Sequence, residues 1–302
     1  MKYVDLHSDT LTVAFDRGYS PLNCPLQASF DKLIKSGCAV QCLAVFTEGD
    51  RAAQNFDKYL SFYKELQIKK ITKSFELEGG FGVILTVENL GFIGSDLSRI
   101  DELAKAGVKM ASLVWNYENE LAYPNLIFKD GLPLFDRREN RGLKPLGRMA
   151  VELLDEHKII VDISHLSDGG ALDILEGRKI PIVASHSNCQ QVCDVSRNLT
   201  DNLIKKIADC GGVVGVNYCK DFLGDGNTFD LVERHVKHLI KVGGEDVAAL
   251  GSDFDGIPAP PDLEDCTKLP ALLERLEKSL GARVCEKLRY ENFVRVFKEV
   301  CR

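Results

Sequence analysis

Eight short apolar runs, rich in β-branched residues, alternate along the chain with segments of helical periodicity. This alternation constrains the fold more than any other feature. The runs fall at 3–7, 39–46, 82–88, 108–114, 159–165, 181–186, 212–218 and 247–253. Most are continuously apolar rather than alternating, the pattern of parallel strands covered on both faces. Between them, segment 51–73 sets Ala52, Phe56, Leu60, Tyr63 and Leu66 along one helical face. Segments 145–157 and 199–210 read the same way. Gly107, Gly211 and the Gly243-Gly244 pair sit where helices stop before the next strand. Eight strands in strict alternation with helices predict one parallel (β/α)8 barrel, a TIM barrel, rather than two domains. No Ser/Pro-rich linker or short repeat interrupts residues 1–302, so a single barrel domain is expected. The proline-rich stretch 254–261 reads as a rigid loop after the last strand, and the tail from about 270 to 302 as final helices.

Composition narrows the partners. The net charge of -7 and pI near 5.5 argue against nucleic acid or an anionic membrane as a target. No apolar run approaches the roughly 20 residues needed to span a bilayer. The N-terminal residues carry no apolar signal core, so a cytoplasmic location is expected, with the ten cysteines as reduced thiols.

The strand ends carry the chemistry. His7 and Asp9 lie two apart at the end of the first run, a spacing that puts both side chains on one side of a strand. Glu88 closes the third run after four apolar residues, where an acid needs a partner. His165, His186 and Asp253 close the fifth, sixth and eighth. In a (β/α)8 barrel those ends converge on one rim, where active sites lie. Three histidines with two or three carboxylates suit one or two borderline divalent ions, zinc first among them. A two-ion site needs a bridging carboxylate, for which Glu88 is the natural candidate. Two ions roughly 3.5–4 Å apart would trap a hydroxide and polarise a carbonyl, leaving Asp253 as general acid/base.

These residues lie in motifs that together are specific. They are Asp5-Leu6-His7-Ser8-Asp9, Val87-Glu88, Val161-Asp162-Ile163-Ser164-His165, Ser185-His186-Ser187, Ser196-Arg197-Asn198 and Gly251-Ser252-Asp253-Phe254-Asp255-Gly256. In this order the chain resembles, over nearly its whole length, the membrane (renal) dipeptidases and their bacterial relatives, peptidase family M19. The resemblance implies a zinc-dependent dipeptidase with two Zn2+ ions. His7, Asp9 and Glu88 would hold one ion, and Glu88, His165 and His186 the other. Arg197 matches the arginine that binds the C-terminal carboxylate of the dipeptide. Asp253 matches the acid that shuttles the proton. A homodimer is implied as well.

The chain departs from the mammalian members after the fourth strand, where they carry a substrate-contacting histidine. The matching stretch here is Leu113-Val114-Trp115-Asn116-Tyr117. Either Asn116 stands in that place, able to donate to an oxyanion, or Trp115 does, walling the pocket. Two other activities compete with the dipeptidase reading: hydrolysis of cyclic amides or esters by another binuclear amidohydrolase, and a catalytically inactive metal-binding homologue. His157, the His235/His238 pair, Cys38 with Cys42, and Cys189 with Cys193 read as structural. Gly79-Gly80-Phe81-Gly82 precedes a strand and reads as a turn. Asp5 shares the parity of His7 and serves either to orient a ligand or as a plain barrel residue.

Overall fold

Each apolar run supplies one strand of a single parallel sheet in the computed structural model, which describes residues 1–301. The strands are β1 (Tyr3–Ser8), β2 (Cys38–Phe46), β3 (Gly82–Glu88), β4 (Met110–Ser112), β5 (Ile160–Asp162), β6 (Val183–Ala184), β7 (Val213–Val216) and β8 (Ala248–Leu250). They neighbour one another in chain order. The sheet comes round on itself at its C-terminal rim. There Asp253 N donates to His7 O at 3.2 Å and Asp9 N donates to Phe254 O at 2.9 Å. The side chain of Asp5 reinforces this seam by accepting from Ser252 N at 2.8 Å and Ser252 Oγ at 2.5 Å. The fold is the expected (β/α)8 barrel.

Every strand sends at least one apolar side chain from its N-terminal half into a common interior cluster, including Val4, Val40, Ile84, Met110 and Ala249. Phe293, Val296 and Phe297 of the helix Asn292–Val300 join the same cluster and close the barrel at that end. A larger apolar layer lies between the strands and the surrounding helices. The opposite end, where polar residues follow the strands, is left for chemistry. Near it the backbones of β6, β7 and β8 approach closely. A Cβ on Gly215 or Gly251 would stand 2.1 or 1.8 Å from Ser185 O, so only glycine fits at either position.

The structure revises several element boundaries. The ladder of β5 stops at Asp162 and that of β8 at Leu250, short of His165 and Asp253. Both of these residues adopt left-handed backbone, with φ of 68° and 64°. That conformation turns the chain out of the sheet and is costly outside glycine. The helix expected over 51–73 spans Ala52–Glu65. The following residues pair with the start of β3 instead, Ile71 N donating to Val83 O at 2.8 Å and Val83 N to Lys69 O at 2.9 Å. A hairpin of Ile127–Lys129 with Leu132–Leu134, absent from the sequence reading, follows the loop after β4. The tail forms Leu269–Leu280 and Asn292–Val300, joined by a short helix and a π-helical turn. No helix among the described residues is long and apolar enough to cross a membrane.

Candidate active site

The rim of the barrel brings His7, Asp9, Glu88, His165, His186 and Asp253 together. Glu88 ends β3 at the centre of the group, and its two oxygens face different partners. Oε2 lies 3.5 Å from His7 Nε2. Oε1 lies 3.0 Å from His165 Nε2 and 3.6 Å from His186 Nε2. His7 Nε2 in turn stands 3.5 Å from Asp9 Oδ2 and 3.8 Å from Asp253 Oδ1. All six side chains are buried.

The donor set fits metal ions. His165 Nδ1 lies 2.9 Å from Asn116 Oδ1, a pure acceptor, so Nδ1 carries the ring proton and Nε2 presents a lone pair. Ser185 Oγ donates to Asp162 Oδ2 at 2.5 Å and therefore accepts from His186 Nδ1 at 2.8 Å. His186 Nε2 is thus a lone pair as well. His7 Nε2 is buried without a hydrogen-bond partner among the described residues. Among the described residues, two groups have ligand atoms mutually close enough to share an ion: His7 with Glu88 and His186, and His7 with Asp9 and Asp253.

The electrostatics follow from burial and from these contacts. Burial alone would push Glu88 up, but the neighbouring His7 outweighs it and holds the carboxyl well below the usual range. Burial pushes the Asp253 carboxyl up to about 7; His7 opposes the shift, while Asp9 and Glu88 add to it. Burial, with Arg197 nearby, lowers His165 to about 4 and keeps the imidazole neutral. Asn217 Nδ2 donates to Asp253 Oδ2 at 2.9 Å and fixes that carboxylate.

A cleft of about 360 Å3 opens over this group. Trp115 and Asn116 both line it. Trp115 packs edge-on to Phe46 with ring centroids 4.8 Å apart and forms part of the wall. Asn116 is occupied in orienting His165. Arg197 is 1% exposed and is not among the described lining residues. Its Nη1 donates to Ser187 Oγ and its Nη2 to His186 O, each at 3.2 Å, while Nε has no partner among the described residues. Its guanidinium carbon lies 5.5 Å from the ring centroid of Phe222, which does line the cleft.

Several contributors had no role assigned from the sequence, although Asp162, Ser185, Asp255 and Gly256 lie in its motifs. Asn217, just beyond β7, is a polar residue at a strand end, the same signal that found the others. Asp162 and Ser185 orient His186 from inside the barrel. Asp255 lines the cleft and ties the loop after β8 to the first helix, accepting from Thr10 Oγ1 and Gln27 N at 2.6 Å each. Gly256 packs so closely that a Cβ there would lie 2.1 Å from Asp9 Oδ2. The residues set aside are placed structurally. His157 caps a helix and pairs with Asp101, and His238 pairs with Asp201. His235 is buried, its Nδ1 accepting from Cys189 N.

Fold and donor set define a metal-dependent hydrolase of the (β/α)8 type. The chain belongs to the membrane dipeptidase family, peptidase family M19, whose pattern matches residues 1–302, and is a metallo-dipeptidase of that family. An uncharacterised protein from the pqqA 5' region of Klebsiella pneumoniae is 33% identical over 225 residues, 72% of this chain and 82% of that protein. An uncharacterised dipeptidase of Schizosaccharomyces pombe is 32% identical over 233 residues, 75% of this chain and 55% of that protein. The chain thus matches about half the length of the yeast relative. Two solved structures share the fold. A metallo peptidase of family M19, called dipeptidase AC, has a TM-score of 0.89 at 24% identity, covering 99% of this chain and 98% of that one. A metallo peptidase from Rhodobacter sphaeroides, liganded with a phosphinate mimic of L-Ala-D-Ala, has a TM-score of 0.87 at 23% identity, covering 99% of each chain.

Proposed function

We propose that the protein is a binuclear zinc dipeptidase acting on dipeptides with a free C-terminal carboxylate. The observation that carries this reading is the division of Glu88 between two donor groups, His7 on one oxygen and His165 with His186 on the other. His7, Asp9 and Glu88 would hold one ion, and Glu88, His165 and His186 the other. Two zinc ions, when bound, would supply an activated water and Lewis acidity toward the peptide carbonyl.

The chain's own residues do the rest. Asp253, positioned by Asn217 and shifted toward neutrality, accepts a proton and returns it to the leaving amine. Arg197 pairs with the substrate carboxylate. Its guanidinium is buried, among the described residues no carboxylate contacts it and Nε has no partner, a costly state that a substrate anion would relieve. Asn116 holds His165 in its ligating tautomer, and Trp115 shapes the cleft wall. The dipeptide mimic bound by the Rhodobacter sphaeroides relative supports a substrate of this size. The family resemblance supports a homodimer.

The test is a panel of dipeptides, with L and D residues at the second position, on zinc-reconstituted protein. Hydrolysis of free dipeptides is expected, with C-terminal amides poor substrates. Turnover of cyclic amides or esters without dipeptides would favour the broader amidohydrolase. Zinc-loaded protein inactive on every substrate would favour an inactive homologue.

A further inference from the structure

We infer that the cleft selects dipeptides whose first residue has a cationic side chain, and that Asp16 reads that charge. The inference rests on the dipeptidase reading above. The helix Thr10–Asp16 follows β1, with Asp9 as its N-cap. Asp9, Thr12, Val13 and Asp16 are spaced by three, one and three residues, so they share one helical face. All four line the cleft. With a rise of about 1.5 Å per residue, Asp16 stands about 10 Å from Asp9 along the helix axis.

That distance suits one class of side chain. From a carbonyl held among the proposed metal ligands, the first Cα is one bond away. An extended lysine ammonium lies about 6 Å further, and an ion pair adds about 3 Å, for a reach of about 10 Å. The amine on the same Cα, about 2.5 Å from the carbonyl, falls far short of Asp16. The wall between is suited to an aliphatic stem with a charged tip. Phe46, Tyr59 and Trp115 all line it, and aromatic faces favour both the methylene stem and the cation.

Asp16 is exposed, and no ion pair occupies it among the described residues. The hydroxyl of buried Tyr59 donates to Asp16 Oδ1 at 3.0 Å and to Oδ2 at 3.1 Å, which holds the carboxylate at the cleft. The neighbouring Asp255 is committed to Thr10, Gln27 and Ala28. No lysine or arginine is found among the described lining residues, so the charged side chains of the wall are acidic. The direction of the substrate agrees. Arg197 follows β6 and Asp16 follows β1, so a carboxylate turned toward Arg197 sends the first residue across the mouth toward Asp16.

The test compares kcat/KM for Lys-Ala and norleucine-Ala, which share the stem and differ in the charge. Zinc-loaded wild type should favour Lys-Ala by about fivefold or more at low salt, with the preference shrinking as salt rises. Asp16→Asn should bring the ratio to within about twofold of one. Norleucine-Ala turnover reports that the variant is folded, and the salt series on wild type decides the matter if it is not. A wild-type ratio near one, or a ratio unchanged by salt and by Asp16→Asn, overturns the inference while norleucine-Ala turnover leaves the dipeptidase reading standing. Hydrolysis of neither dipeptide, with L-Ala or D-Ala at the second position, would overturn both.

Discussion

His165 and His186 point their Nε2 atoms at each other across 2.9 Å, while each Nδ1 is engaged elsewhere, on Asn116 Oδ1 and Ser185 Oγ respectively. Two neutral imidazoles in these tautomers turn lone pair toward lone pair. That arrangement is repulsive on its own and becomes favourable around a shared cation. Asn116 therefore matters through the tautomer and orientation of His165.

Asn116→Ala removes the acceptor that holds His165 Nδ1. Zinc affinity should fall by about 10- to 100-fold, the usual scale for losing a group that orients a metal-bound histidine. Competition with a chelator of known affinity measures it. A variant that holds zinc as tightly as wild type would remove Asn116 from the metal site and return it to the cleft wall.

Asp253→Asn keeps the shape of the side chain and removes its basicity. As proton shuttle, Asp253 should affect the chemical step more than substrate binding. The expected loss is roughly two to four decades in kcat with zinc content retained. Steady-state kinetics with parallel metal analysis separates the outcomes. Near-normal kcat would refute the role, and loss of zinc would make Asp253 a ligand of the ion near His7.

Arg197 is tested by a cycle between the protein and its substrate. Wild type should hydrolyse a C-terminally amidated dipeptide poorly relative to the free acid. In Arg197→Ala the free acid should lose most of that advantage, because the group that reads the carboxylate is gone. Coupling below about 0.5 kcal/mol would leave the carboxylate role without support.

His235 gives a prediction about stability, independent of the metal site. It is fully buried, accepts from Cys189 N at 3.1 Å and donates to Leu223 O at 3.1 Å. Burial, reinforced by Arg234 and His238, lowers it to about 4. The folded protein thus refuses a proton that the unfolded chain binds below about pH 6.5. The stabilisation is present in full above pH 6.5 and is lost as pH falls toward 4, a total of about 3 kcal/mol. Denaturant unfolding of wild type and His235→Asn from pH 8 to 4.5 should show the wild-type advantage shrinking with acid. A constant difference would mean that His235 does not carry this linkage.

The rim was legible in the sequence because one rule sufficed. Strand ends of a parallel barrel share a rim, so five polar residues closing apolar runs had to meet, and Glu88, His165 and His186 do so within 3.6 Å. Element ends were less legible, because local backbone overrode the apolar pattern. The ladders of β5 and β8 end at Asp162 and Leu250, ahead of left-handed turns at His165 and Asp253, and nothing in an apolar run announces a positive φ. The segment after Glu65 keeps helical periodicity yet pairs with β3, because the edge of that strand offers backbone partners that periodicity cannot reveal. The partners of the site were hidden for another reason. Asp162 and Asn217 act through contacts to residues more than 20 positions away, Ser185 and Asp253, which only the closed barrel brings near.

The central claim is that two zinc ions bridged by Glu88 carry dipeptide hydrolysis. It is tested most directly by titrating metal-free protein with Zn2+ while following both bound zinc and dipeptide turnover, for wild type and Glu88→Gln. The account predicts that wild-type activity saturates at two equivalents, and that Glu88→Gln binds zinc weakly and stays inactive at that ratio. Activity without metal, full activity at one equivalent, or two tightly held ions in Glu88→Gln would contradict it.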